Sequence, residues 1–266
     1  MARSIISVIN QKGGVGKTTT TINLATALAK KGKKILIIDL DPQGNATTGL
    51  GKSNNDEEKS IYNILIGKIS VENAIQESSV KSLDLIGSNV NLSGLEVETA
   101  NDANRAFLLK EILKKENNSL FNDYENIFID CPPSLSLLTV MSLVSADELL
   151  IPLQTEFFAL EGITQLVKTI DRIKANLNPK LSIRGILLTM FDKRNKLSYQ
   201  VDNEARKHFK DKVYKTVIPR NVRLSEAPSH GVPCLIYDKG CPGSKSYISL
   251  AEEFINQNNQ FMGSAA

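Results

Sequence analysis

Short apolar runs alternate along the chain with longer stretches in which apolar residues recur every three or four positions. Continuous runs rich in β-branched residues are typical of strands that are covered on both faces of a parallel sheet. These runs predict seven strands: Ile5–Ile9, Ile35–Ile38, Leu83–Ile86, Ile127–Ile129, Leu149–Leu153, Ile183–Leu188 and Val213–Ile218. Strands that alternate with helical stretches predict an α/β fold, with a mostly parallel sheet flanked by helices on both faces.

Three of the helical stretches are well marked by their periodicity. Thr19–Lys31 places its apolar residues on one face and stops before Gly32, and Leu160–Asn176 repeats the pattern. The last stretch, Ser246–Asn256, precedes a polar tail, whereas the hydrophilic Lys52–Lys59 is short enough to be a surface loop. We therefore predict a single domain over residues 1–258. Residues 259–266 are predicted to be a frayed tail or residues left from expression.

Composition places the chain among soluble proteins of a reducing compartment, which predicts a cytoplasmic location. The three cysteines among 266 residues follow no disulfide framework. The first apolar run is too short for a signal peptide, and no stretch reaches the length of a membrane span.

Charge is unevenly distributed, although the net charge is only +3. Between Lys168 and Arg223 there are 15 lysines and arginines against five acidic residues, a local balance of +10. Such a segment favours a polyanionic partner, but solvated faces of surface helices would give the same count.

The strongest chemical signal is the segment QKGGVGKTT, which follows the first strand directly. A glycine-rich turn between a strand and a helix lets successive backbone N–H groups face an anion, and the helix N-terminus adds positive potential. The Lys17 ammonium is suited to the β- and γ-phosphates, and the Thr18 hydroxyl to Mg²⁺. The candidate nucleotide-binding residues of this loop are Lys12, Gly13, Gly14, Val15, Gly16, Lys17, Thr18 and Thr19.

Two acidic segments follow later strands. Asp39-Leu40-Asp41-Pro42 ends the second strand, and the Pro-Gly turn that follows should direct Asp41 into the cleft. Asp130 ends the strand Ile127–Ile129, which is the Walker B arrangement that supports Mg²⁺. Thr18, Asp41 and Asp130 are thus the candidate metal ligands. Cys131 has no second cysteine at ligand spacing and is predicted to be a small buried residue.

The phosphate loop departs from the general pattern by carrying Lys12, and KGGVGKT resembles the deviant Walker A loop of the ParA/MinD ATPases. Five segments together, KGGVGKTTT, DLDPQGN, DCPPS, PLQTEFFALEG and PRNVRLSEAPSHG, closely resemble the ParA/Soj family of chromosome- and plasmid-partitioning ATPases. These segments span nearly the whole chain. The resemblance implies a P-loop fold and a homodimer that forms when ATP binds.

The resemblance also implies roles for individual residues. Lys12, Lys17 and Asp41 are the candidate catalytic residues: Lys12 would contact the nucleotide across the dimer, and Asp41 would position the attacking water. Pro219 and Asn221 would form part of the adenine pocket, and ATP is favoured because no guanine-reading motif occurs.

The family's partners are likewise expected here. The ATP-bound dimer would bind double-stranded DNA without sequence preference, through Arg194 and Arg223 among other groups, and would be associated with the nucleoid. A ParB-type protein would stimulate hydrolysis. Both arginines lie in the basic segment found by counting charges.

Three alternatives share the fold. A MinD-like membrane-cycling ATPase needs a basic amphipathic C-terminal helix, whereas this chain ends in the acidic and amide-rich SLAEEFINQNNQF. An iron–sulfur protein needs paired cysteines, but Cys234 and Cys241 are seven residues apart. A metabolic phosphoryl-transfer enzyme or ligase would need an acceptor site that the sequence does not indicate. The segment DKGCPGSKSY, which contains Cys241, departs from the family pattern.

Overall fold

A computed structural model of the chain describes residues 3–55, 58–114 and 119–263. Six of the seven predicted strands are present with bounds close to those expected. The strands are β1 (Ser4–Val8), β2 (Ile35–Asp39), β3 (Ile75–Glu77), β4 (Leu83–Ile86), β5 (Asn126–Asp130), β6 (Glu148–Gln154) and β7 (Ser182–Thr189).

The strands form one sheet in the order β3-β4-β2-β5-β1-β6-β7. All neighbouring pairs are parallel except β3 with β4, at one edge. In the centre of the sheet, Asp130 at the end of β5 is aligned with Val8 on one side and with Asp39 on the other. The loops that follow β1, β2 and β5 therefore meet at the same edge of the sheet, where ligands bind in open α/β folds.

Helices cover both faces. They are α1 (Lys17–Lys30), α2 (Asn45–Gly49), α3 (Ile61–Leu65), α4 (Val71–Ala74), α5 (Leu95–Glu98), α6 (Leu108–Lys114), α7 (Leu137–Ser145), α8 (Ala159–Asn176), α9 (Lys196–Phe209), α10 (Val222–Glu226), α11 (Cys234–Tyr237) and α12 (Pro242–Gly263). Short 3₁₀ segments connect some of them, at Val90–Gly94, Arg105–Phe107, Ser119–Asp123, Lys210–Lys212 and Ala227–His230.

Two apolar cores lie on opposite faces of the sheet, because successive side chains of a strand alternate between its faces. Ile5 joins the core that includes residues of α7 and α8, whereas its neighbour Ile6 joins the core that includes residues of α1 and α12. The expectation of an α/β fold with helices on both faces is confirmed.

The prediction of a strand at Val213–Ile218 is wrong. This segment makes only isolated bridges to the chain near β7, at Val213 and Pro219. The reason lies in its hydrogen bonds: the backbone N–H groups of Lys215 and Thr216 donate to the Glu253 carboxylate at 2.7 and 2.9 Å. Groups that bond to a side chain cannot join a strand ladder. Val213, Tyr214 and Ile218 are buried, which is why the pattern of the segment resembles that of a strand.

Other differences concern element ends. No sequence pattern predicts β3, which is three residues long and partly exposed. The last helix begins at Pro242 rather than Ser246, since proline is favoured in the first turn of a helix, and it extends to Gly263. Residues 56–57 of the predicted loop and 264–266 of the predicted tail lie outside the described residues. No helix in the described ranges has the length and apolar character needed to cross a bilayer.

Candidate nucleotide site

The phosphate loop connects β1 to α1 and depends on two glycines. Gly14 and Gly16 have φ angles of 74° and 88°, in the left-handed region where side chains are disfavoured. Gly16 occupies the N-cap of α1 without a side-chain cap, so N–H groups of the first turn remain available for an anion. Thr189, at the end of β7, supports the loop by donating from Oγ1 to the Val15 carbonyl at 2.8 Å.

Lys17 lies inside this loop and is 7% exposed. Its ammonium donates to the Lys12 carbonyl at 3.0 Å, so the side chain folds back under the glycines. Burial lowers the pKa of Lys17, while the Asp130 carboxylate acts in the opposite direction. A buried cation beside free N–H groups is the arrangement that phosphate oxygens require.

Asp130 links the phosphate loop to β5. Its Oδ2 accepts a hydrogen bond from Thr18 Oγ1 at 2.7 Å, and its Oδ1 accepts one from Thr21 Oγ1 at 2.9 Å. Burial raises the pKa of Asp130 to about 7, and the neighbouring Asp39 carboxylate adds to the rise. The contact brings together the two predicted metal ligands Thr18 and Asp130.

Asp39 and Asp41 have different environments. Asp39 is fully buried, and its carboxylate accepts hydrogen bonds from the N–H and hydroxyl of Thr47, at 2.8 and 2.7 Å, and from the Asp41 N–H at 3.2 Å. Burial raises the pKa of Asp39 to about 6, against these hydrogen bonds. Asp41 instead lines the cavity, and its Oδ1 accepts a hydrogen bond from Gln43 N–H at 3.0 Å. Asp39 thus orients the turn that presents Asp41.

Lys12 extends away from the loop that carries it. Its ammonium forms an ion pair with Glu156, in the segment between β6 and α8, and half of its side chain is exposed. Its backbone N–H is held by Asn10 Oδ1 at 3.0 Å. The side chain therefore lies at the surface next to the phosphate loop, accessible from outside the subunit.

A cavity of about 390 Å³ lies over the phosphate loop. It is lined by the glycines of the loop, Lys17, Thr18, Thr19 and Asp41. A second cavity of about 180 Å³ adjoins it and is lined by Pro219 and Asn221, the predicted adenine residues. The two cavities share five lining residues: Gly16, Thr19, Met190, Leu224 and Ser225.

The residues fit a magnesium nucleotide. In the second cavity, Asn221 Oδ1 is buried without a hydrogen-bond partner among the described residues, and such an acceptor suits the exocyclic amine of adenine. The hydroxyl of Thr18 and the carboxylates of Asp41 and Asp130 are the hard oxygen donors that Mg²⁺ prefers. Bound Mg²⁺ would neutralise phosphate charge at this edge of the sheet.

The predicted DNA-binding arginines lie outside the two nucleotide cavities. Arg194 forms a two-pronged pair with Asp192, at 3.1 and 3.0 Å, and is 89% exposed. This arginine lowers the pKa of Asp192 to about 2. Arg223 donates to Glu226 at 2.7 Å and lies over the Tyr237 ring. Each guanidinium is accessible but already has an acidic neighbour.

The sequence missed several residues of the site. Thr189 ends β7 beside the phosphate loop and Met190 follows it. Met190 has a φ of 51°, an unusual value that often marks functional positions. Leu224 lies between the two cavities. Thr189 could have been predicted as a site residue because it is a polar residue at the end of a predicted parallel strand. No sequence pattern indicates Leu224 or Met190 as site residues.

Comparison with known proteins agrees with this geometry. The family model described as "AAA domain" matches residues 3–183. The chromosome partitioning protein ParA of Caulobacter vibrioides is 48% identical over 262 residues, covering 98% of this chain and 97% of that protein. The sporulation initiation inhibitor protein Soj of Bacillus subtilis is 49% identical over 249 residues, covering 94% and 97%. The chain belongs to the ParA/Soj family of chromosome-partitioning ATPases.

A solved structure also resembles this ParA/Soj chain closely. Cobyrinic acid a,c-diamide synthase from Mycobacterium smegmatis, with a bound ATP analogue and magnesium, has a TM-score of 0.83 and 31% identity. The alignment covers 94% of this chain and 93% of that protein. The P-loop fold expected from the sequence is confirmed, and ATP with Mg²⁺ is the cofactor pair that agrees with it.

Proposed function

We propose that this chain is an ATP-dependent dimerising ATPase that binds DNA without sequence preference and drives the segregation of a chromosome or plasmid. The observation that carries the proposal is that Lys17, Thr18 and Asp41 line one cavity, while Asp130 binds Thr18 and the Lys12 side chain lies at the surface. Family membership supports the cellular role.

We propose a role for each residue of the site. Lys17 and the loop N–H groups hold the β- and γ-phosphates, and Thr18, Asp41 and Asp130 hold Mg²⁺ directly or through water. Asp41, which lines the cavity, orients the attacking water. Pro219 and Asn221 hold the adenine. Lys12 would contact the nucleotide of the partner subunit. The proposed catalytic residues are thus Lys12, Lys17 and Asp41.

Dimerisation is proposed from Lys12. Its side chain is half-exposed and is bound by Glu156 of the same chain rather than by its own phosphate loop. An ammonium at the surface can exchange this partner for a phosphate of a second subunit at small cost, because exposed ion pairs are weak. ATP in both sites would then join the two subunits face to face.

DNA and a ParB-type protein are the proposed partners. A dimer places two copies of Arg194 and Arg223 on one particle and doubles the phosphate contacts that a single chain can make. The ParB-type protein would stimulate hydrolysis and release the dimer from DNA. The protein would work in the cytoplasm on the nucleoid, and residues 1–258 would form its single ATPase domain.

The test is retention of a random duplex DNA by the purified chain with Mg-ATP, with Mg-ADP and without nucleotide. We expect retention with ATP alone. Equal retention in all three conditions would contradict the proposed cycle, and ATP turnover without any DNA retention would favour a metabolic enzyme on the same fold.

A further inference from the structure

The Cys241 thiol, in the segment DKGCPGSKSY, is in contact with a second buried thiol, that of Cys234. Cys234 begins α11 and Cys241 immediately precedes α12, and their sulfur atoms are 3.6 Å apart. Both are free and buried. The Ser244 hydroxyl lies 3.4 Å from each sulfur, so the three side chains form one cluster.

We propose that Cys234 and Cys241 are a modification site, at which hydrogen peroxide converts the two thiols into an intramolecular disulfide that reshapes the wall of the nucleotide cavity. The oxidation itself does not depend on the proposed function. The expected effect of the disulfide on ATP affinity rests on the proposed function.

The geometry places the two sulfurs close to bonding distance. The sulfur atoms are already in van der Waals contact, and a disulfide needs them at about 2.05 Å. Within the described residues, no cluster of three or more His, Cys, Asp or Glu could hold a metal ion. Metal binding therefore does not account for the pair.

The two thiols differ in a way that orders the chemistry. Cys241 is 6% exposed and its neighbours Gly240 and Pro242 are exposed, whereas Cys234 is wholly buried. The Cys241 sulfur accepts the Ser244 N–H at 3.4 Å in the first turn of α12. Burial raises the pKa of Cys234 to about 11, so this group stays a thiol at neutral pH. Cys241 is therefore the residue that reacts first.

The reaction balances in two steps. The Cys241 thiolate attacks a peroxide oxygen, the O–O bond breaks, and the products are a sulfenic acid and hydroxide, which becomes water on taking up a proton. The Cys234 sulfur then attacks the sulfenic sulfur, the S–O bond breaks, and the departing hydroxide leaves as water with the Cys234 proton. Two thiols lose two electrons and one peroxide gives two waters.

The cysteine pair is connected to the nucleotide cavity through the short helix α11, which begins at Cys234. Cys234 lines the larger cavity, and its backbone N–H donates to Asn23 Oδ1 of α1 at 2.9 Å. Asn23 lines the same cavity. Drawing the two sulfurs together shifts Cys234 relative to α1, and a binding site loses contacts when its wall moves by more than about half an ångström.

The experiment uses the full chain, reduced and then treated with hydrogen peroxide. Trypsin cuts after Lys239, between the two cysteines, so a disulfide appears as residues 224–239 joined to residues 240–245 in a digest without reductant. We expect this joined pair, with Cys131 still free because its sulfur contacts the Ser7 and Ser142 hydroxyls rather than another thiol. Cys241→Ser should give no joined peptides.

ATP affinity, measured by calorimetry, is the second readout. We expect oxidation to weaken binding about threefold or more, with recovery after dithiothreitol, since the wall position is restored. The ATP affinity of Cys241→Ser should be the same before and after peroxide treatment. Failure to detect joined peptides in the wild type, or their formation only between two chains, would overturn the proposed site.

A disulfide that forms while ATP affinity stays unchanged would overturn the link to the cavity. Loss of ATP binding in the untreated, reduced protein would instead contradict the proposed function. The peptide readout is independent of ATP, so the two failures are distinguishable.

Discussion

Thr18, in the first turn of α1, donates a hydrogen bond to Asp130, at the end of β5, with 2.7 Å between the hydroxyl and carboxylate oxygens. The two residues are 112 positions apart, and the parallel register of β1 and β5 brings them together. The same hydroxyl is the group that should bind Mg²⁺. The hydroxyl oxygen keeps its lone pairs for the ion while its hydrogen donates to the carboxylate, so this hydrogen bond holds the group ready for Mg²⁺.

Lys17→Ala should reduce ATP affinity by about 100-fold or more, because it removes the buried cation of the phosphate loop and leaves charge-assisted hydrogen bonds unmade. Calorimetry with Mg-ATP measures the change. Lys30→Ala is the matched control, since Lys30 is exposed at the far end of the same helix. Near wild-type affinity in Lys17→Ala would show that the nucleotide binds elsewhere.

Asp41→Ala should separate binding from hydrolysis. The carboxylate lines the cavity and its loss should slow ATP turnover by about 100-fold or more, while Thr18 and Asp130 still hold Mg²⁺. Turnover is measured by phosphate release and the oligomeric state by light scattering. We expect a long-lived dimer with Mg-ATP. A variant that remains monomeric would argue against this role for Asp41.

Lys12→Ala should impair dimerisation and hydrolysis more than ATP binding, because Lys12 is bound to Glu156 at the surface and Lys17 serves the phosphates from within. Binding by calorimetry and dimerisation by light scattering should be measured on the same preparation. Equal losses in both would mean that Lys12 contacts the nucleotide of its own subunit.

The fold was predictable because most strands here are continuous apolar runs, whereas the errors come from side-chain partners that no pattern encodes. Val213–Ile218 has the composition of a strand, but two of its backbone N–H groups donate to the carboxylate of Glu253, 37 residues after Thr216. Motifs located Lys17, Thr18 and Asp130, since each needs a fixed place beside a strand end. Asp39 was not selected as a site residue, because nothing local indicates that its carboxylate is bound by Thr47.

The nucleotide-free protein should carry an acidic group that destabilises it as pH rises. The pKa of Asp130 is about 7 when folded and near its usual value of 3.8 when unfolded. Between these values the folded state binds more protons than the unfolded state, so this residue makes stability fall as pH rises from about 4 to about 7.

Asp130→Asn should therefore gain stability relative to the wild type across that range. Urea unfolding at several pH values, in chelator without nucleotide, measures the difference. A difference between the two proteins that does not vary with pH would refute the shifted pKa.

DNA binding should require ATP and the two arginines, and should be insensitive to sequence. Contacts with the phosphate backbone release counterions, so log affinity should fall with log salt at a slope of about −0.9 per phosphate contacted. Arg194→Glu and Arg223→Glu should each weaken retention of any duplex and reduce that slope, because each removes a cation and adds an anion. Arg194→Glu should change DNA binding with less effect on local packing than Arg223→Glu. Arg194 is 89% exposed, whereas Arg223 also packs over the Tyr237 ring.

Lys81→Glu makes the same charge change at an exposed position outside the basic segment and is the matched control. ATP-driven dimerisation should persist in all three variants, since none of these side chains lies in the phosphate loop. Retention is measured over a salt series on two duplexes of unrelated sequence. If Lys81→Glu loses as much DNA retention as Arg194→Glu, the loss comes from the change in net charge and not from a specific arginine contact. A strong preference of the wild type for one duplex would indicate base readout and contradict binding through the backbone alone.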